Sequence, residues 1–187
     1  NADLPGRIAA VAKSHRARLI HISTDAVFDG QKGNYSETDP PNPLSVYAQT
    51  KLAGEHAVAD IYPQAIIARV NLFGWSLNGK RSLAEFFFNN LKASKSVMGF
   101  TDVYFSPLLA NDLSLLLLNM LENDQHGLYH VGSETSLSKY EFGIRIAHKF
   151  GFDSNLIQPT SLADAGLDAP RSPNLSLCVD KLMHSLS

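Results

Sequence analysis

Hydrophobic positions change their spacing along the chain, and the changes predict helices and strands in turn. Residues 4–16 carry apolar side chains on one helical face, whereas residues 18–23 form a short apolar run typical of a buried strand. Residues 45–60 predict a second helix with Ser45 as its N-cap, and residues 65–70 predict a second buried strand. Helix, strand, loop, helix and strand in this order predict a parallel α/β sheet.

The second half of the chain continues this alternation less regularly. Helices are predicted over residues 82–94, 108–121 and 138–150, and a strand over residues 127–131. The helix over 108–121 is largely apolar, so we expect it to be buried. The tail from Pro159 is predicted to be rich in loops.

Composition narrows the classes of function. The chain has 187 residues, of which 44% are hydrophobic and 18% charged, and its formal net charge is −2. These values are typical of a folded domain, and the lack of a basic excess argues against nucleic acid as a partner. The single cysteine favours a reducing, cytoplasmic compartment. The sequence contains no run of about 18 apolar residues, which is the length that a membrane span needs. The seven histidines form no set with metal-ligand spacing.

The most informative pair for chemistry is Tyr47 and Lys51, which lie four residues apart on the second predicted helix. This spacing places the phenol and the ammonium on one helical face. A nearby positive charge lowers a tyrosine pKa from its usual value of about 10, so the tyrosine can act as a general acid or base toward a carbonyl or alcohol. The spacing alone is equally compatible with an ordinary helix surface.

The first predicted strand ends in Ser23, Thr24 and Asp25. Ligands bind at the carboxyl ends of strands in parallel α/β sheets, so a hydroxyl there can donate a hydrogen bond to a substrate oxygen. A turn or a helix cap is the alternative use of these residue types.

Several segments of the chain resemble the dTDP-4-dehydrorhamnose reductase family, which are extended short-chain dehydrogenases/reductases acting on nucleotide sugars. The resemblance is carried by HISTDAVFDG (21–30), YSETD (35–39), NPLSVY (42–47), KLAGE (51–55) and RSPNLSL (171–177). It implies an α/β fold: the C-terminal part of a Rossmann-type, doubly wound parallel sheet with a small substrate-binding lobe. The expected boundaries assign 1–76 and 106–132 to the Rossmann-type part, and 77–105 and 133–187 to the lobe.

The resemblance also implies a role for individual residues. Thr24 would bind and polarise the substrate carbonyl, Tyr47 would donate the proton, and Lys51 would lower the Tyr47 pKa and bind the nicotinamide ribose. NADPH or NADH is the implied cofactor, and a homodimer is an expected assembly. The remaining implied positions are Asn1 at a proton-relay water, Asn71 and Leu72 beside the nicotinamide, and Asp25, Val27 and Arg171 beside the nucleotide sugar.

The chain departs from the family pattern at several positions. Leu72 stands where the reductases have a tryptophan, Leu108 replaces a threonine, and Leu175 and Cys178 replace a serine and an aspartate. No glycine-rich turn follows a predicted strand, although the family uses such a turn to bind the pyrophosphate. We therefore expect the chain to be a fragment of a longer enzyme, inactive alone and binding NADPH no tighter than about millimolar.

Three functions are compatible with these residues. The first is reduction of a 4-keto nucleotide-deoxysugar, as in dTDP-rhamnose biosynthesis. The second is epimerisation or dehydration of a related substrate, although Ala26 stands where dehydratases carry the second residue of an acid pair. The third is a non-catalytic binding subunit, because the regulatory subunit of methionine adenosyltransferase resembles the same reductases. The presence of Thr24, Tyr47 and Lys51 together favours the reductase.

Overall fold

A computed structural model describes residues 2–166 and 172–186. Six α-helices lie within these ranges: α1 (Asp3–Ser14), α2 (Val46–Ile61), α3 (Leu83–Lys92), α4 (Ala110–Glu122), α5 (Lys139–Phe150) and α6 (Asp180–Ser185). The same ranges contain ten strands: β1 (Ile20–Thr24), β2 (Ile66–Val70), β3 (Leu72–Phe73), β4 (Val97–Phe100), β5 (Tyr104–Phe105), β6 (Leu108–Leu109), β7 (Gly127–Val131), β8 (Leu137–Ser138), β9 (Ile157–Thr160) and β10 (Asn174–Leu175).

The main sheet consists of three parallel strands in the order β1-β2-β7. All five residues of β2 are buried, as expected for a central strand covered on both faces. Ile66 and Ala68 pack in the core that includes residues of α4 and α6, whereas Ile67 packs with α1 and α2. Because neighbouring side chains of a strand point to opposite faces, helices cover both sides of the sheet. The predicted α/β class is confirmed.

A second group of elements carries small sheets with the orders β10-β5-β8 and β4-β9. Helices α3 and α5 pack together over them around an aromatic core that includes Phe87, Phe105 and Phe142. Gly143 permits this packing, since a Cβ atom there would lie 2.6 Å from the Phe87 ring. The domain boundaries given above stay a prediction.

The structure corrects one expectation for the second half of the chain. The apolar segment 108–121 is not a buried helix: its first two residues form β6, and α4 buries Leu113 and Met120 but exposes Leu115 and Leu118. The sheet covers only one side of α4, so the helix has an apolar outer face. The described part of the tail from Pro159 is rich in loops as predicted, and it also contains β10 and α6. Among the described residues, no helix is both long and apolar enough to cross a membrane.

Candidate active site

A cavity of about 250 Å³ opens at the carboxyl ends of β1 and β2. The two strands are parallel, so their ends reach the same edge of the sheet, and the first turns of α2 lie beside them. Six residues proposed from the sequence line this cavity: Thr24, Asp25, Tyr47, Lys51, Asn71 and Leu72. The fold therefore brings together residues that are up to 48 positions apart (72 − 24) in the chain.

Helix α2 presents Tyr47 and Lys51 to the cavity from its first two turns. Ser45 caps the helix as predicted, since its Oγ accepts a hydrogen bond from the backbone N–H of Ala48 over 3.2 Å. Tyr47 is exposed, and the Lys51 Nζ donates to the backbone carbonyl of Ile22 on β1. Burial lowers the pKa of Lys51, and the Glu55 carboxylate opposes this effect. Lys51 thus links α2 to the strand that ends in Thr24.

Thr24 makes the helix cap that the sequence offered as the alternative use, and its role toward a substrate stays a prediction. Its Oγ1 accepts a hydrogen bond from the Ala26 N–H over 3.2 Å, which caps the short 3-10 helix over Asp25–Val27. The same hydroxyl donates to Asp25 Oδ1 over 3.2 Å, and Asn71 Nδ2 donates to Asp25 Oδ2 over 2.6 Å. A chain of three polar side chains therefore joins the end of β1 to the residue that follows β2.

Asp25 is the most perturbed acid of the site. It is only 3% exposed, and burial raises its pKa to about 6, against the hydrogen bonds from Asn71 and Thr24. Its ordinary pKa is 3.8, so the folded chain holds this proton more tightly than the unfolded chain does. The carboxyl group consequently changes its charge in the mildly acidic range.

We predict that Asp25→Asn removes part of the pH dependence of stability. Between about pH 4 and pH 6 the folded state binds more protons at Asp25 than the unfolded state, so the free energy of unfolding falls as pH rises, by up to about 3 kcal/mol. Urea unfolding from pH 4 to 7.5 should show this decrease in the stability of the wild type relative to Asp25→Asn, because the groups whose pKa values are lowered, such as Asp39, Glu85 and His130, contribute equally to both proteins. Exposed Asp60 provides the control, and Asp60→Asn should follow the wild type. Parallel curves for wild type and Asp25→Asn would contradict the prediction.

A buried ion pair lies behind the cavity. Arg69 on β2 binds Glu55 on α2 through Nη2–Oε2 at 2.7 Å and through Nε at 3.1 Å, and both side chains are 4% exposed. Ser23 Oγ donates to the same carboxylate, and the guanidinium lies over the Phe28 ring at 5.0 Å. These contacts connect β1, β2 and α2, which are the three elements that carry the cavity.

Sequence reasoning did not identify this ion pair. Glu55 follows Tyr47 and Lys51 at intervals of four, so the three residues form one helical stripe. An acidic residue on the buried stripe of a helix requires a partner, and this requirement is the signal that was available.

Of the other positions proposed from the sequence, the structure places Val27 outside the cavity. Val27 was expected beside the sugar, but its side chain is fully buried and packs with Phe28, Tyr35 and Leu177. That side chain cannot contact a substrate in the cavity, so we assign it to the core. Asn1 and Arg171 lie outside the described residues.

A larger cavity of about 560 Å³ adjoins the first one and shares Asn71 with it. Ala26 and Ser45 line it from the sheet side, while the second group of elements contributes Phe86, Phe100, Tyr104 and Lys139. Within the described residues, no group of three or more His, Cys, Asp or Glu side chains could hold a metal ion.

Comparison with known proteins places the chain in a family. All 187 residues match the model described as the RmlD substrate binding domain. The chain belongs to this family. A probable low-salt glycan biosynthesis reductase, Agl14 of Haloferax volcanii, is 35% identical over 185 residues, which cover 96% of this chain and 61% of that protein. Methionine adenosyltransferase 2 subunit beta of Danio rerio is 34% identical over 172 residues, which cover 88% of this chain and 53% of that protein.

Solved structures support the same assignment. The dTDP-4-dehydrorhamnose reductase of Bacillus anthracis, in complex with NADP, superposes with a TM-score of 0.89 at 26% identity. The match covers 98% of this chain and 65% of that structure. The resemblance inferred from the motifs and the Rossmann-type fold are thereby confirmed. The RmlD-family chain spans about 60% of the length of the relatives that it matches.

Proposed function

We propose that this chain is the catalytic and substrate-binding part of an NAD(P)H-dependent reductase of 4-keto nucleotide-deoxysugars. The observation that carries the proposal is the shared cavity of Thr24, Tyr47 and Lys51 at the carboxyl ends of β1 and β2. Membership of the RmlD substrate-binding family supports the class of reaction. The proposal extends to dTDP-rhamnose biosynthesis as the setting of the reaction. A cytoplasmic location and a homodimer stay predictions.

The cavity fits the nicotinamide end of a dinucleotide. The Lys51 ammonium and the Asn71 amide offer hydrogen-bond donors, and Val70 and Leu72 supply an apolar wall. When bound, the nicotinamide supplies the hydride. Thr24 then turns its hydroxyl proton from Asp25 Oδ1 to the carbonyl oxygen of the substrate, and the Tyr47 phenol delivers the proton to that oxygen as charge develops on it. Lys51 would bind the nicotinamide ribose, and its hydrogen bond to the Ile22 carbonyl keeps α2 fixed against β1.

The adjoining cavity of about 560 Å³ suits the nucleotide portion of the substrate. Phe86, Phe100 and Tyr104 offer aromatic faces for a base, and Lys139 contributes a positive charge for a phosphate. Asn71 borders both cavities, so a nucleotide sugar bound here would direct its sugar toward Thr24 and Tyr47. Arg171 remains a proposed diphosphate ligand.

The direct test is an assay in which a dinucleotide-binding half is supplied. We would fuse the chain behind the N-terminal half of a dTDP-4-dehydrorhamnose reductase and follow NADPH oxidation with a dTDP-4-keto-6-deoxysugar. Turnover of this substrate, with none for the corresponding 4-hydroxy sugar, supports the proposal. A folded fusion that binds NADPH and the nucleotide sugar but reduces nothing would contradict it.

A second candidate function is that of a non-catalytic subunit. The observation that favours it is the 34% identity to methionine adenosyltransferase 2 subunit beta. A binding subunit does not need a tyrosine that is positioned to donate a proton, so a change at Lys51 separates the two functions.

We predict that Lys51→Met in the fusion lowers kcat, because it removes the hydrogen bond from Lys51 Nζ to the Ile22 carbonyl that holds α2, and Tyr47 on it, against β1. The KM for NADPH should rise as well, since Lys51 is the proposed ribose ligand. Lys95→Met serves as the matched control, because Lys95 is an exposed lysine outside both cavities. If Lys51→Met changed neither kcat nor the KM, the binding-subunit function would be preferred.

A further inference from the structure

A third cavity, of about 770 Å³, lies apart from the two cavities of the proposed active site. It shares no lining residue with either of them. The aromatic core separates it from the cavity of about 560 Å³ proposed for the nucleotide. Phe142 lines the third cavity, Phe105 lines the 560 Å³ cavity, and the centroids of these two rings are 5.4 Å apart. A ligand here would occupy a site of its own.

One face of α5 forms a wall of this cavity. The lining residues from α5 recur at intervals of three and four, namely Phe142, Arg145, Ile146, Lys149 and Phe150. Such a stripe normally carries apolar residues throughout and packs on a core. In α5 the exposed cations Arg145 and Lys149 interrupt the apolar stripe, and neither makes a hydrogen bond or an ion pair within the part of the chain that the structure describes.

The rim of the cavity is aromatic. Trp75 is 57% exposed, and its ring makes edge-to-face contacts with Phe150 and Phe88 at 5.8 and 5.0 Å. Buried Ala84 and Leu137 also line the cavity, so its surface is mainly apolar. A volume of this size is typical of small-molecule sites, which combine an apolar lining with a few polar groups.

The charges around the cavity favour an anion. Glu134 is the acidic residue of the lining, against the cations of Arg145 and Lys149. Glu141 lies outside the lining, where the Ser138 N–H holds its carboxylate at 2.7 Å in the capping box of α5, and its charge offsets part of that of Arg145. Lys149 follows Arg145 by four residues, so the two cations lie side by side on one helical face.

We propose that this cavity binds small amphipathic anions, which are molecules with an apolar acyl or aromatic body and one carboxylate, sulfate or phosphate group. The body would lie against Trp75, Phe142 and Phe150, and the anionic group would lie between Arg145 and Lys149. The inference is independent of the proposed reductase function, because it uses none of the residues of that site.

The single tryptophan of the chain is a reporter at this rim. We would titrate the 187-residue chain with octanoate and octyl phosphate below their micellar concentrations, using 1-octanol as the uncharged match and acetate as the anion without an apolar body. Both amphipathic anions should shift the Trp75 emission to shorter wavelength and bind about tenfold more tightly than 1-octanol, given two exposed cations. Acetate should produce no shift at the same concentrations, and added salt should weaken the anions only.

The double variant Arg145→Gln/Lys149→Gln should reduce the affinity for both anions to that for 1-octanol and leave the alcohol unchanged. Both side chains are exposed, so the variant should keep the fold. Lys95→Gln removes a distant exposed charge and should bind as the wild type does.

Equal affinity for octanoate and 1-octanol, an unchanged double variant, or binding seen by calorimetry without a change at Trp75 would overturn the proposal. Concentration-dependent self-association that shifts the Trp75 emission without a probe would assign the rim to a second copy of the chain instead.

Discussion

Tyr47→Phe is expected to lower the rate of ketosugar reduction by about 10²–10⁴-fold, which is the usual contribution of a positioned general acid. The substitution removes only the phenolic hydroxyl, and the aromatic ring on the first turn of α2 remains. Within the described residues this hydroxyl makes no hydrogen bond, and the side chain is 56% exposed. The thermal stability and the KM for NADPH should therefore stay near their wild-type values, so that the loss appears in kcat.

Tyr62→Phe is the matched control for this prediction. Tyr62 follows the last residue of the same helix, and its hydroxyl donates to the backbone carbonyl of Ala17 over 3.2 Å, away from the cavity. In the fusion described above, Tyr62→Phe should keep full turnover. A Tyr47→Phe enzyme with near-wild-type kcat would show that the proton comes from another group, and Asp25, with its pKa of about 6, would be the next candidate.

The parts of the site that were predictable are those encoded by local pattern. Ser45 and the apolar spacing behind it predicted α2, and the run ending in Thr24 predicted β1, because caps and periodicity depend on neighbouring residues. The spacing of Tyr47 and Lys51 then placed both residues on one face. The family resemblance extended this set to Asn71 and Leu72, which do line the cavity.

The features that sequence did not predict depend on contacts between distant segments. Strand β4 pairs with β9, which lies 60 residues further along, and neither strand has a strong pattern of its own. Val27 was assigned by its position in a motif, whereas its burial against Leu177 depends on the returning tail. The outer face of α4 shows the same limitation, because apolar content alone did not distinguish a helix covered on one side from a buried one.

The buried ion pair between Glu55 and Arg69 has the largest expected effect on stability. Glu55→Gln should lower the free energy of unfolding by about 3–5 kcal/mol, because it leaves the Arg69 guanidinium buried without a countercharge. The Arg69 Nη1 already lacks a hydrogen-bond partner among the described residues, so little remains to compensate the loss of the Glu55 charge. Arg69→Met should be similarly costly, because it leaves the carboxylate with Ser23 as its remaining hydrogen-bond donor.

The double variant Glu55→Gln/Arg69→Met decides between a contribution from charge pairing and one from packing. If the cost arises from an uncompensated charge, removing both charges should restore most of the stability lost in either single variant. Urea unfolding of the wild type, both single variants and the double variant measures this coupling. Asp124→Asn is the control, because Asp124 forms an exposed ion pair with Arg18, and it should lower the free energy of unfolding far less. Additive losses in the double variant would instead mean that the shapes of these side chains hold α2 against β1 and β2. In the fusion, a stable double variant with reduced kcat would show that the ion pair positions Tyr47 and Lys51 beyond its effect on folding.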